Sequence, residues 1–105
     1  MLGTKHDENK VRMDLIPPLP LQTIAEVFGV QANKYDEYKW DKGLEYSMLY
    51  SSAQRHLTSY WGGEIFDPET GISHVAHAVY NLLMIMDMEE IDHHDEKIKG
   101  RINYG

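Results

Sequence analysis

Residues 72–88, ISHVAHAVYNLLMIMDM, place apolar side chains on almost every face of a helix. A helix that is hydrophobic all round has to be surrounded by neighbours or by a second subunit. That demand points to an all-α, compact helical bundle built around one central element, with self-association as a natural source of the remaining cover. With 105 residues in the chain, a single domain is the natural unit, and a domain of this size buries a modest fraction of its surface. Asp87 interrupts the apolar run before it reaches the length of a bilayer span, and the polar start MLGTKHDENK lacks the pattern of a secretory leader. The expectation is a soluble protein of the cytoplasm.

Two further helices are predicted to surround the central one. After Pro20 the positions Leu21, Ile24, Ala25, Phe28, Ala32 and Tyr35 keep helical spacing, giving a first helix over about 20–35. From Tyr46 the set Leu49, Ala53, His56, Leu57 and Tyr60 gives a second helix running to Trp61, stopped by Gly62-Gly63. Asp67-Pro68-Glu69 combines an N-cap acceptor, a proline and an acid, and predicts that the central helix starts at 68 and runs to about 91. Residues 1–19, rich in charge and ending in Pro17, Pro18 and Pro20, read as an extended arm, and 92–105 as a polar tail.

The central helix also carries the most informative polar groups. His74, His77 and Asn81 recur at intervals of three and four and so share one face. Each costs roughly 1–3 kcal/mol if buried without a partner. They therefore call for hydrogen-bond partners, a metal, a ligand or a wet cavity. His56 lies on the apolar side of the second helix, while Glu64, Asp67 and Glu69 lie on the segment joining the two histidine-bearing helices. Two readings stay open: a satisfied polar network inside the bundle, or a site for a divalent transition metal such as manganese, held by His56, His74 and His77 with help from Glu64, Asp67 or Glu69. No HExxH or His-Asp doublet accompanies them. His93-His94-Asp95 lies in the polar tail and is given no role.

Charge adds a second constellation. The chain carries 17 acidic and 10 basic residues, a net charge of −7, which argues against wrapping nucleic acid or an anionic membrane. Zero cysteine removes disulfides, thiolate catalysis and cysteine zinc sites. Even so, the basic residues gather in the first 55 positions. Lys34, Lys42 and Arg55 would bind phosphate by charge-assisted hydrogen bonds, and Tyr35 or Trp40 would stack on a base. That pairing suits a nucleotide. Neither a Walker loop nor GxGxxG is present, so side chains and helix ends would hold the phosphates.

The runs KHDENKVRMDLIPP, ANKYDEYKWDKG, AQRHLTSYWGGE and FDPETGISHVAHAVYNLL resemble, in order and spacing, the N-terminal domain of phage-type dATP/dGTP diphosphohydrolase proteins, over about residues 5–90. The resemblance implies a MazG-like all-α fold and removal of pyrophosphate from purine deoxynucleoside triphosphates. It also implies magnesium or manganese held by ExxE on one helix and ExxD on the next. Laid over those positions, this chain has Ala53-x-x-His56 and His74-x-x-His77, imidazoles in place of carboxylates. Magnesium prefers hard oxygen ligands, so the departure favours a module that holds a purine nucleotide without turning it over. Lys34, Tyr35, Trp40, Lys42, Arg55, His56, His74, His77 and Asn81 are the expected binding residues. The alternatives are a metal-dependent diphosphohydrolase and an oligomeric structural protein whose histidines stitch a helical interface.

Overall fold

The structure, a computed structural model, describes residues 10–34 and 46–94. Three helices account for most of them: α1 (Pro18–Lys34), α2 (Tyr46–Trp61) and α3 (His74–His94), preceded by one 3-10 turn, Met13–Leu15. An isolated antiparallel bridge, Phe66 to Ser73, is the β structure among the described residues. The architecture is all-α, as the apolar run from Ile72 to Met88 requires. No described helix is long and apolar enough to cross a membrane.

α3 is the central element and packs against both α2 and α1. Its Ala76, Tyr80 and Met84 join Val27 of α1 and Leu49 of α2 in the core, with Ile24, Phe28, Ile72, Ile85 and Met88 packed around them. The Phe28 ring meets Tyr80 edge-on, with centroids 4.7 Å apart at 76°, the arrangement favoured by aromatic quadrupoles. On α1 the buried stripe is narrower than the periodicity suggests: Leu21 is half exposed, and Val27 is the residue at the centre of the contact. The all-round apolar character of α3 is only partly covered within one chain. Val75, Leu82, Leu83 and Met86 remain open to solvent.

Two boundaries differ from expectation. α1 begins at Pro18, ahead of Pro20, because the first N–H groups of a helix have no acceptor within it and a proline there forfeits nothing. The described part of the arm is also not wholly extended. Its 3-10 turn is flanked by an exposed pair in which the Arg12 guanidinium donates to Asp14 at 2.7 and 2.8 Å.

The larger correction concerns the start of α3. Asp67-Pro68-Glu69 does not open that helix. The Asp67 carboxylate accepts from Glu69 N–H at 3.1 Å, its carbonyl accepts from Gly71 N–H at 2.6 Å, and its own N–H donates to the Ile72 carbonyl at 2.8 Å. Gly71, at φ +76°, turns the chain in a conformation open to glycine and ends the would-be helix after one turn. α3 then starts at His74, capped by Ser73, whose hydroxyl accepts the Ala76 N–H at 3.2 Å. At its far end the helix extends to His94, past the expected 91; residues 95–105 and the loop 36–43 lie outside the described residues.

The exit from α2 is equally specific. Gly63 at φ +110° donates to the Tyr60 carbonyl and Glu64 N–H to the Ser59 carbonyl, both at 3.0 Å, the paired bonds of a Schellman ending. Glu64 is thereby delivered at the start of a short crossing that His74 N–H ties down through the Ile65 carbonyl at 2.9 Å. Ser73→Ala removes the cap of α3 and is expected to cost about 1 kcal/mol. Thermal denaturation should show a midpoint lower by roughly 4–8 °C; an unchanged midpoint would show that the cap contributes nothing.

Candidate functional site

His74, His77 and Asn81 project from the N-terminal half of α3 toward α2, and all three are buried, at 4%, 2% and 5% exposure. Every described buried polar side-chain atom nevertheless has a partner. Glu64 Oε1 lies 2.7 Å from His74 Nε2, and His74 Nδ1 lies 2.9 Å from His56 Nδ1. The His56 ring stacks on His77, with centroids 4.6 Å apart and planes 9° from parallel. His77 Nε2 meets Thr70 Oγ1 at 2.7 Å and Asp67 Oδ2 at 3.4 Å. Asn81 donates to Ser52 Oγ at 3.1 Å and to the His77 carbonyl at 2.9 Å.

The tautomers follow from the acceptors. A carboxylate has no proton to give, so His74 donates through Nε2 to Glu64. The His56–His74 bond joins two Nδ1 atoms, so one ring donates and the other accepts; where His74 Nδ1 accepts, His56 Nδ1 is the donor. His56 Nε2 then carries a lone pair. The turn closed by Gly71 has a comparable role on the other side: Thr70 Oγ1 accepts the Ile72 N–H at 3.2 Å and reaches Asp67 Oδ2 at 3.4 Å, which fixes the hydroxyl beside His77.

These groups border an open cleft of about 250 Å³ between α1, α2, the 67–70 turn and α3. Gln31, Ser52, Arg55, His56, Asp67, Glu69, Thr70, His77 and Asn81 form its polar lining, and Val30, Met48, Leu49 and Tyr80 its apolar lining. Of the residues singled out from sequence, His56, His77, Asn81, Arg55, Asp67 and Glu69 meet at this cleft. His74 and Glu64 do not line it; they stand behind His56 as its support. Lys34 closes α1, and its side chain, together with Tyr35, Trp40 and Lys42, falls outside the described residues. Sequence reasoning passed over Ser52, Thr70 and Tyr80. The first lies four residues before His56 and the last three after His77, so helical spacing alone placed both on the facing stripes. Thr70 had no such signal, because its position depends on the Asp67 turn.

Comparison with known proteins agrees with the resemblance drawn from the motifs. The family described as dATP/dGTP diphosphohydrolase, N-terminal, matches residues 2–98. A protein of Salmonella phage PMBT28 named dATP/dGTP diphosphohydrolase is 33% identical over 85 residues, which cover 81% of this chain and 29% of that protein. The chain thus aligns with less than a third of its relative's length. No solved structure matches it.

The packing of three imidazoles against one another affects the basicity of His56. Burial lowers the His56 pKa, the neighbouring His77, His74 and Arg55 lower it further, and Asp67 opposes them. In the unfolded chain the imidazole recovers its ordinary value of about 6.5. Below that pH the unfolded state takes up the proton first, so stability is full above it and declines as pH falls through the lowered His56 value. Denaturant midpoints measured between pH 7.5 and 5 should fall for the wild type and fall less for His56→Gln. Parallel pH profiles would remove His56 as the source.

Proposed function

The chain belongs to the dATP/dGTP diphosphohydrolase N-terminal family, and from that membership we propose that its cleft holds a purine deoxynucleoside triphosphate. The observation that carries the reading is the dual lining of the cleft. Val30, Met48, Leu49 and Tyr80 offer a wall for a base or sugar, while Ser52, Arg55, Thr70 and Asn81 offer hydrogen-bonding groups. Nucleotide recognition needs both, because the base gains from leaving water and the phosphates must keep polar partners. The cleft lies at the small end of ligand sites, which run from roughly 300 to 1,000 Å³. A triphosphate would therefore be bound with part of its length in solvent.

Arg55 is the phosphate ligand in this reading. It is exposed on α2, one residue before His56, and its Nη1 donates to Ser51 at 3.2 Å, a bond between exposed groups that a stronger acceptor can replace. A guanidinium–phosphate contact is charge-assisted and geometrically selective. Lys34 and Lys42 would add charge, and Tyr35 or Trp40 would add stacking, as the composition of that segment suggests. Holding without turnover is the primary reading, since the paired carboxylates implied for magnesium are absent from the matching helix positions. A second reading, release of pyrophosphate, is favoured by the grouping of His56, His77 and Asp67 at one place in the cleft.

Calorimetric titration with dATP and dGTP, with and without divalent cations, is expected to show saturable binding that weakens about tenfold or more in Arg55→Ala, the loss of one hydrogen bond to a charged group. Silent titrations with every purine nucleotide would overturn the binding reading. Pyrophosphate release, followed in parallel, separates the two: binding without release in the presence of magnesium, manganese, cobalt or zinc excludes hydrolysis by this chain.

A further inference from the structure

We propose that His56, His77 and Asp67 form a three-ligand site for a first-row divalent transition metal, with His74 and Glu64 holding the His56 imidazole in its ligating orientation. One donor atom from each of the three residues lies within 4.8 Å of the other two. His77 is buried at 2% exposure, and the Asp67 side chain is 13% exposed. The assignment does not rest on the nucleotide reading, because the ion alone is the probe.

The His77–Asp67 edge is already in place. Donors about 2.0–2.2 Å from a tetrahedral ion stand roughly 3.4 Å apart. His77 Nε2 and Asp67 Oδ2 are 3.4 Å apart. His56 has to adjust: a ligated imidazole keeps the ion near its own plane, and two rings 9° from parallel share no such point. A tilt of His56, the less buried of the pair, brings its Nε2 lone pair to the ion. His77 gives up its bond to Thr70 in return, and the Thr70 hydroxyl keeps Ile72 N–H and Asp67 as partners.

Electrostatics favours an occupant of positive charge. Among the described groups lining the cleft, Arg55 faces Asp67 and Glu69, one cation against two carboxylates. The second tier is also suited to a metal. A ligating histidine commonly passes its other N–H to an acceptor that sets its orientation. In the tautomer that would ligate through Nε2, His56 passes Nδ1–H to His74, which passes Nε2–H to Glu64. Two imidazoles and one carboxylate select manganese, iron, cobalt or zinc over magnesium, and three protein ligands leave a coordination position for water or a phosphate oxygen.

The test uses the metal-free chain and Co(II), Zn(II) and Mg(II) alone. The expected result is one Co(II) per chain with visible absorption bands, displaced by Zn(II) and unaffected by Mg(II). Asp67→Asn and His56→Gln should weaken Co(II) at least about tenfold, and Glu64→Gln by roughly 10–100-fold as an outer-shell change. Circular dichroism in chelator establishes that each variant is folded. Should the variants not fold, paramagnetic broadening in the wild type decides: the His56 and His77 ring signals must broaden on addition of Co(II). Broadening confined to other histidines such as His93 and His94, absence of saturable binding, or wild-type affinity in both Asp67→Asn and His56→Gln would overturn the site.

Discussion

The structure depends on the burial of three polar side chains in the middle of an otherwise apolar helix. His74, His77 and Asn81 together would cost several kcal/mol if left unpaired, and α3 cannot turn them to water without exposing Ala76, Tyr80 and Met84 instead. The neighbouring elements are arranged around this demand. α2 contributes Ser52 and His56 from one face, the Schellman ending of that helix delivers Glu64, and the tight turn at Asp67 delivers Thr70. Loop and helix are therefore parts of one network. The crossing from Trp61 to His74 is short, and its two left-handed glycines, Gly63 and Gly71, set the two acidic groups on either side of the histidines.

Much of this was legible in the sequence. The bounds of α2 follow from its spacing and from Gly62-Gly63, and the shared face of His74, His77 and Asn81 follows from intervals of three and four. Family membership was legible in the motif runs. The start of α3 was not, because Asp67-Pro68-Glu69 has the chemistry of a helix opening and that chemistry is equally that of a single turn. What separates the two is Gly71, whose left-handed conformation stops propagation, and Ser73, a better-placed cap. The division of labour among the histidines was hidden for a related reason. Periodicity places His74 and His77 on one face, but the register between α2 and α3 and the path of the 64–73 crossing decide which of them reaches the cleft.

That division has chemical consequences. A histidine supported by a carboxylate through a second imidazole is constrained in tautomer and direction, and its remaining nitrogen is an acceptor aimed away from its support. Burial, with His77, His74 and Arg55 adding to it and Asp67 opposing, lowers the His56 pKa and so favours its neutral form. The hydrogen bonds that satisfy the network inside the bundle also fix the His56 ring in direction. Structural satisfaction and chemical competence are thus not competing explanations here.

A network serving only to join two helices would be expected to close on itself, since every open valence lowers its worth to stability and apolar replacement of a buried polar set is often neutral or better. This one is open on one side. His56, His77, Asn81 and Ser52 all line the cleft, Arg55 stands at the same opening, and Asp67 joins the buried imidazole to that same space. Its opposite end, Glu64, is about half exposed. A chain of hydrogen bonds that runs from a half-exposed carboxylate, through the buried His74 and the partly buried His56, to an accessible cleft can hold α2 against α3 without being closed to solvent. The same arrangement leaves the His56 ring at the cleft with its direction fixed from behind.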